Sequence, residues 1–196
     1  MAPLTIGLTG GIAAGKSEAL AAFGRLGAAT LSSDTVVHDL LEGEPLRGEL
    51  AERWGPEVAP EGAPTDRGRI GGIVFADPAE LQWLESKLHP LVGAETATWI
   101  AGLPEDTKVA VIEVPLLFEG GREKAFDTTV SIVAAEDVRR ERAAARGHAL
   151  VDAREARQLT QEEKAARATY VVHNDGSLDE LQRRLSDVLD QLARNP

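Results

Sequence analysis

The sequence predicts an α/β fold with a parallel sheet flanked by helices, and three observations support this prediction. Short apolar runs with the length of strands alternate with segments of helical periodicity along the 196 residues. The run 109–114 is almost continuously apolar, as expected for a parallel strand that is buried on both faces. The first apolar run, at 4–8, leads into a glycine-rich turn and then directly into an amphipathic helix.

The composition is that of an ordinary globular protein, with 43% hydrophobic and 27% charged residues. The chain has no cysteine, which excludes disulfides, thiolate metal sites and a cysteine nucleophile. Its formal net charge of −11 argues against a nucleic-acid partner. No apolar run approaches the roughly 20 residues that span a bilayer, and no signal-peptide pattern occurs. We therefore expect a cytoplasmic protein that does not bind membranes. We also expect a monomer or a weak oligomer.

The turn after the first strand fits the phosphate-binding loop G-x-x-x-x-G-K-[ST], with Gly10, Gly15, Lys16 and Ser17 at the fixed positions. Glycines let the backbone curl around a polyanion so that successive amides point inward. We expect Lys16 to contact the outer phosphates, Ser17 to offer its hydroxyl to Mg²⁺, and the following helix to contribute its positive N-terminal end. The alternative is a plain glycine-rich turn with a surface lysine, but the strand–loop–helix context favours a nucleotide site.

An acid follows the second predicted strand, which covers about 28–31. Asp34 is the candidate base, because ligands of open parallel sheets bind at the carboxyl ends of the strands. Aspartate is also a favoured N-cap, so Asp34 could instead cap the helix predicted at 35–41. His38 lies one turn later, and we expect it to be structural or to lie at the edge of the substrate rather than to bind metal.

The segment 44–103 changes to helical patterns, with candidate helices at 66–76 and 78–101. Pro90 lies inside the longer pattern, and we expect it to kink or break that helix. Such an insertion between the second and third strands forms a helical lobe. It is either a packed helical cap or a lobe that binds the acceptor of a transfer reaction.

The buried third strand ends in an acid, Glu113, at the position where phosphate-loop enzymes carry a carboxylate that orients Mg²⁺. A structural capping or pairing role is the alternative. The basic segment 139–157 is either a solvated surface or a helical lid whose arginines close over a phosphoryl group. Strands at 128–133 and 170–172 and a closing helix capped by Ser177 complete the pattern.

Several separated motifs together resemble the dephospho-coenzyme A kinase family, in the family's order and along nearly the whole chain. The motifs are Gly7–Ile12 leading to Gly15-Lys16-Ser17, Asp34 through His38, Asp66-Arg67 with Val74-Phe75, Leu84-Glu85 with Leu88-His89-Pro90, 115–119, Arg142-x-x-x-Arg146, Arg157-x-x-x-Gln161, Glu163-Lys164 and Asn174-Asp175-Gly176-Ser177. The phosphate loop alone is generic, whereas the His89-Pro90 and 115–119 motifs are far more discriminating.

The resemblance implies a P-loop NTPase three-layer fold in three parts. A parallel-sheet core covers about 1–43, 104–135 and 168–196, a helical acceptor-binding lobe about 44–103, and a helical lid about 136–167. It also implies that the chain transfers the γ-phosphoryl group of ATP to the ribose 3′-hydroxyl of dephospho-coenzyme A, with Mg²⁺ as cofactor. That reaction is the last step of coenzyme A synthesis.

The resemblance further implies which residues act. The catalytic residues are Asp34, Lys16 and Arg142. The residues that bind ATP are Gly11, Ala13, Ala14, Gly15, Lys16, Ser17, Glu18, Arg142, Arg157 and Asn174. The residues that bind the acceptor are Asp34, His38, Arg67, His89 and Leu117, and the metal ligands are Ser17 and Glu113.

Five positions depart from the family's usual pattern. Ser32 replaces an acid, Glu113 an aspartate, Ala13 a glycine, Glu18 a threonine and Arg139 a glutamine. None of these changes removes a reacting group. Two other classes of protein are compatible with the loop: a kinase acting on a nucleoside monophosphate or a sugar, and a non-enzymatic ATP-binding regulator.

Overall fold

The structure is a computed structural model that describes residues 2–145 and 158–194. In chain order its elements are β1 (Leu4–Gly10), α1 (Lys16–Arg25), β2 (Ala29–Ser32), α2 (Ser33–Glu42), α3 (Leu46–Trp54), α4 (Arg67–Ala76), α5 (Pro78–Ala101), β3 (Val109–Glu113), a 3₁₀ turn (Arg122–Ala125), β4 (Thr128–Val133), α6 (Glu136–Ala145), α7 (Gln161–Arg167), β5 (Tyr170–His173) and α8 (Leu178–Arg194). The chain divides into two compact units. We call Met1–Ser32 with Leu103–Pro196 the sheet unit, and Ser33–Gly102 the helical unit.

The sheet unit contains one five-stranded sheet with the strand order β2-β3-β1-β4-β5, and every pairing is parallel. This sheet confirms the predicted α/β class. The chain leaves the central strand β1 at Gly10 and enters α1 at Lys16. The predicted phosphate loop therefore lies at the carboxyl end of the middle strand, where open α/β sheets bind their ligands.

The core of the sheet unit explains why α1 and α8 pack on the sheet. Both helices place apolar side chains against the strands, and the packing removes this apolar surface from water. The fully or almost fully buried members include Ile6, Leu8, Val111, Val130, Ile132, Phe23, Leu181 and Leu185. Leu178 begins α8 but stays 55% exposed, so the predicted apolar stripe of this helix starts one turn later, at Leu181.

The start of α8 is a reciprocal cap, as predicted for Ser177. The amide of Glu180 donates to Oγ of Ser177 at 3.3 Å, and the amide of Ser177 donates to Oε2 of Glu180 at 2.8 Å. These hydrogen bonds favour the ionised carboxylate and hold the pKa of Glu180 below its usual value. The same arrangement begins α7, where Thr160 and Glu163 form a capping box.

The helical unit has its own apolar core, formed by α2 to α5 and the segment before α4. Its buried members are Leu41, Leu46, Leu50, Val58, Ile70, Val74, Leu84 and Leu88. Helix α5 runs through Pro90 without interruption, so the predicted break at this proline is wrong. Proline removes one backbone hydrogen bond, whereas buried residues lie on both sides of it, Leu88 before and Val92 after.

The start of α2 decides one alternative for Asp34. The helix begins at Ser33, so Asp34 lies in its first turn and not at the N-cap position. The capping role is therefore wrong. Asp34 is exposed, and as an acid in the first turn it complements the positive end of the helix.

Within 2–145 and 158–194, no helix combines the length and the apolar character that crossing a membrane requires.

Candidate functional site

The phosphate loop is shaped mainly by its backbone. Gly15 is the N-cap of α1, has the left-handed angles φ 95° and ψ 32°, and no side chain caps the helix there. Gly15 has no side chain, so the N-cap residue itself offers no side-chain acceptor to the first amides of α1. Such amides, at the positive end of a helix, form a ready anion site.

One loop residue holds an unusual conformation for its type. Ala13 has φ 58°, which makes it the non-glycine residue with positive φ in the described chain. The left-handed region costs an alanine about 1–2 kcal/mol. This cost gives a physical reason why the family pattern commonly has glycine at this position.

Lys16 lies against the loop that it is predicted to serve. Its Nζ donates to the carbonyl oxygens of Gly11 at 3.0 Å and Gly10 at 3.3 Å. The ammonium group is thereby held over the start of the loop. Ser17 and Glu18 follow in the first turn of α1, and both are exposed. The charge of Glu18 complements the N-terminal end of this helix.

Asn174 supports the loop from the end of β5. Its side chain is buried, and Nδ2 donates to the carbonyl oxygen of Ala14 at 2.8 Å. A Cβ on Gly15 would overlap the same Nδ2 atom. The structure therefore places Asn174 against the loop backbone, while its predicted role beside ATP stays a prediction.

Arg142 also reaches the loop. Its Nη1 lies 3.6 Å from the point that a Cβ on Gly15 would occupy. The other arginine predicted to bind ATP, Arg157, lies outside the described residues, as does Arg146. The predicted lid at 136–167 includes residues 146–157, which the structure does not describe, and the lid stays a prediction.

Glu113 is buried at the carboxyl end of β3. The sheet register places it beside Leu8 of β1 and Ser32 of β2. Ser17 and Glu113 offer a hydroxyl and a carboxylate, the oxygen ligands that Mg²⁺ prefers. Among the described residues, no three His, Cys, Asp or Glu side chains lie together as a metal-binding cluster.

The loop 115–119 is fixed by a buried lysine whose role the sequence did not reveal. Lys164 has no exposed side-chain surface, and its Nζ donates to the carbonyl oxygen of Pro115 at 2.7 Å. The same Nζ lies 3.1 Å from Oε1 of Glu119. That carboxylate oxygen also accepts from the amide of Leu159 at 2.9 Å. Helix α7 is thereby tied to the loop that follows Glu113.

The two leucines of this loop differ in exposure. Leu117 is fully buried and lies under Gly7, where a Cβ would come within 3.1 Å of its Cδ2. Leu116 is 40% exposed. The predicted contact between Leu117 and the acceptor stays a prediction, and Leu116 is the leucine of this loop that reaches the surface.

In the helical unit, His38 lines a cavity of about 500 Å³. The other lining residues are Glu42, Arg47, Gly62, Ala63 and Pro64. The Nδ1 atom of His38 is buried and has no hydrogen-bond partner in the described part of the chain. A ligand in this cavity could contact the imidazole of His38, the carboxylate of Glu42 and the guanidinium of Arg47.

Arg47 holds one wall of this cavity in place. Its Nη1 donates to Oε2 of Glu42 at 3.1 Å and to Oγ1 of Thr65 at 2.9 Å. Its Nη2 donates to the carbonyl oxygens of Ala63, at 2.6 Å, and Pro60. Nothing in the sequence pattern distinguished Arg47 from a surface arginine, because three of its four partners lie 13 to 18 residues away in the segment 60–65, which carries no motif.

The remaining predicted acceptor residues, Arg67 and His89, are exposed on α4 and α5. Neither is among the residues that line the His38 cavity. Asp34, on α2, is not among them either. The structure therefore does not gather the predicted acceptor residues of the helical unit into this one cavity, and their roles stay predictions.

The fold and the loop define a class of protein. A parallel sheet with a phosphate-binding loop after its central strand and an uncapped helix behind that loop is the P-loop kinase fold.

Comparison with known proteins identifies the family. The model of the dephospho-CoA kinase family matches residues 4–180. A dephospho-CoA kinase of Frankia casuarinae is 39% identical, over 97% of this chain and 84% of its own. One of Anaeromyxobacter dehalogenans is 41% identical, over 95% and 91%. A crystal structure of a Thermus thermophilus protein has 34% identity and a TM-score of 0.86, over 98% and 99%. The chain belongs to the dephospho-CoA kinase family.

Proposed function

We propose that this protein transfers the γ-phosphoryl group of ATP to the ribose 3′-hydroxyl of dephospho-CoA, giving CoA and ADP. Membership of the family supports the reaction. The observation that carries the proposal is the phosphate loop, with the uncapped end of α1 and the Lys16 ammonium at one place. In phosphoryl transfer the protein acts mainly by positioning the reactants and stabilising charge, and this loop suits that task.

Each residue has a defined part in the proposed reaction. The amides of the loop and Lys16 bind the β- and γ-phosphates, and Arg142 stabilises the charge that develops on the transferred group. Asp34 orients the acceptor hydroxyl or accepts its proton. Its exposure leaves the carboxylate accessible to a substrate hydroxyl.

We propose Ser17 and Glu113 as the residues that hold Mg²⁺. When bound, the ion neutralises charge on the phosphate oxygens. Sites of this kind use one or two protein oxygens and complete the coordination with water and phosphate oxygens. A hydroxyl and a single carboxylate fit that composition.

We propose that the helical unit binds the acceptor. The cavity beside His38 offers charged and polar groups for the polar portions of the acceptor. Arg67 and His89 of this unit, and Leu117 of the sheet unit, are further candidates. We also propose a cytoplasmic protein that acts as a monomer or weak oligomer.

The test is product identification. After incubation with ATP, Mg²⁺ and dephospho-CoA, mass spectrometry should find the acceptor heavier by one phosphoryl group, and phosphorus NMR should place that group on the ribose 3′-oxygen. Adenosine, AMP and gluconate should remain unmodified. Lys16→Ala should lose both ATP binding and product formation.

Other results would contradict the proposal. Phosphorylation of AMP or gluconate but not dephospho-CoA would indicate a different small-molecule kinase. Slow ADP release without any phosphorylated acceptor would indicate an ATP-binding regulator.

A further inference from the structure

Arg139 on α6 reaches the phosphate loop at the end opposite Arg142. Its Nη1 donates to the carbonyl oxygen of Ile12 at 3.4 Å. The same atom lies 3.2 Å from the point that a Cβ on Gly11 would occupy. The guanidinium therefore lies directly beside the start of the loop, where Gly11 has no side chain that would separate it from the backbone.

Among the described residues, both arginines carry a buried donor that has no hydrogen-bond acceptor. Nε of Arg139 and Nη1 of Arg142 are buried, and neither has a hydrogen-bond partner among the described residues. Within the same residues, neither guanidinium lies within 4.0 Å of a carboxylate. Buried charged donors without acceptors are unfavourable, and an anion at the loop would supply the missing acceptors.

The neighbouring arginine on the helix shows the contrast. Arg140 pairs with Glu136 one turn earlier, and its side chain is 78% exposed. Arg139 and Arg142 are three residues apart and share the other face of α6. That face directs to the two ends of one phosphate loop two guanidinium groups that have no carboxylate partner in the described part of the chain.

We propose that Arg139 binds the polyphosphate chain of the nucleotide, so that two arginines of α6 contact it from the Gly11 and Gly15 ends of the loop. This inference rests on the proposed function in one respect, namely that a nucleoside triphosphate occupies the loop. Guanidinium groups form strong charge-assisted hydrogen bonds to phosphate oxygens. The affinity that Arg139 adds should therefore grow with the number of phosphates on the nucleotide.

The experiment measures dissociation constants of ATP, ADP and AMP by calorimetry, with Mg²⁺ and without acceptor. Arg139→Gln should weaken ATP binding by roughly tenfold or more, ADP binding less, and AMP binding by less than about twofold. Arg139→Lys should restore part of the ATP affinity, since it keeps the charge but not the planar fork. The matched control, Arg140→Gln, should bind all three nucleotides as the unchanged protein does.

Two results would overturn the inference. Unchanged ATP affinity in Arg139→Gln would remove Arg139 from phosphate binding. An equal loss for ATP and AMP would show that Arg139 only holds the Ile12 carbonyl. Thermal melting of each variant without nucleotide shows whether the variant is folded. If Arg139→Gln does not fold, Arg139→Lys must still show a loss of nucleotide affinity that increases with the number of phosphates. CoA formation by the unchanged protein tests the proposed function separately.

Discussion

The sheet unit and the helical unit build their candidate sites by different means. In the sheet unit, the phosphate loop depends on backbone geometry: a left-handed Gly15, a side-chain amide on the Ala14 carbonyl and an uncapped helix end. In the helical unit, the His38 cavity depends on side chains, chiefly the four hydrogen-bond acceptors of Arg47. Backbone geometry admits few residue types, whereas a network of charged side chains can be built in many ways.

The first prediction concerns Lys164, a fully buried charged residue of the sheet unit that acts through its side-chain contacts and not through backbone geometry. Lys164→Met leaves the carboxylate of Glu119, whose side chain is only 15% exposed, without this partner and should lower the free energy of unfolding by about 3–5 kcal/mol. Denaturant unfolding followed by circular dichroism measures this loss. The exposed Arg167→Met on the same helix should stay within about 0.5 kcal/mol. Adding Glu119→Gln to Lys164→Met should recover part of the loss, and an additive loss would contradict a buried pair.

The second prediction concerns backbone geometry at Gly15. Gly15→Ala forces a Cβ into Nδ2 of Asn174 and imposes a left-handed alanine, so it should cost about 2–4 kcal/mol and abolish ATP binding. Gly27 provides the control, because its φ is 91° and a Cβ there meets nothing within 4 Å. Gly27→Ala should cost only about 1–2 kcal/mol and leave ATP affinity intact. Equal effects of the two changes would show that the overlap with Asn174 is unimportant.

The third prediction concerns the side-chain network of the helical unit. Arg47→Lys keeps the charge but cannot reach four acceptors at once, and we expect a loss of about 1–3 kcal/mol. All three tryptophans, Trp54, Trp83 and Trp99, lie in this unit, so their fluorescence reports on its unfolding. ATP affinity should not change. The control is the exposed Arg69→Lys, and a loss as large as that of Arg47→Lys would argue against the network.

The fourth and smallest effect concerns Ala13. Ala13→Gly removes the cost of a left-handed alanine but raises the conformational entropy of the unfolded chain. The net gain in the free energy of unfolding should therefore be at most about 1 kcal/mol. Ala21→Gly, at an exposed position of α1, should instead lose about 1 kcal/mol. Thermal melting compares the two. A loss of similar size in Ala13→Gly would mean that the alanine is not strained.

Features that depend on local backbone chemistry could be predicted from the sequence, whereas features that depend on packing could not. The five strands, the parallel sheet and the phosphate loop followed from apolar runs and from the fixed spacing of Gly10, Gly15 and Lys16, since local backbone chemistry determines them. The predicted break at Pro90 was wrong, because the packing of buried residues on both sides of this proline maintains α5. The capping role of Asp34 was wrong, because α2 already begins at Ser33.

The contacts of Arg47, Lys164 and Arg139 could not be predicted, because each side chain donates to acceptors well beyond its local sequence, although Arg47 also donates to the nearby Glu42. In the sequence, Arg139 was visible as one arginine of the basic segment 139–157 and as a departure from the family pattern. Its position against Ile12, 127 residues earlier, depends on the packing of α6 beside the loop. The predicted lid and the roles of Arg157 and the acceptor residues stay predictions.

The central claim is a division of labour: the phosphate loop binds ATP, and Asp34 acts on the acceptor hydroxyl. One measurement tests it most directly, the ATP dissociation constant and kcat of Asp34→Asn beside Lys16→Ala. We predict that Asp34→Asn lowers kcat by about 10²-fold or more and changes ATP affinity by less than about twofold, whereas Lys16→Ala lowers both. A near-normal kcat in Asp34→Asn would remove Asp34 from the reaction, and unchanged ATP affinity and turnover in Lys16→Ala would contradict the phosphate loop itself.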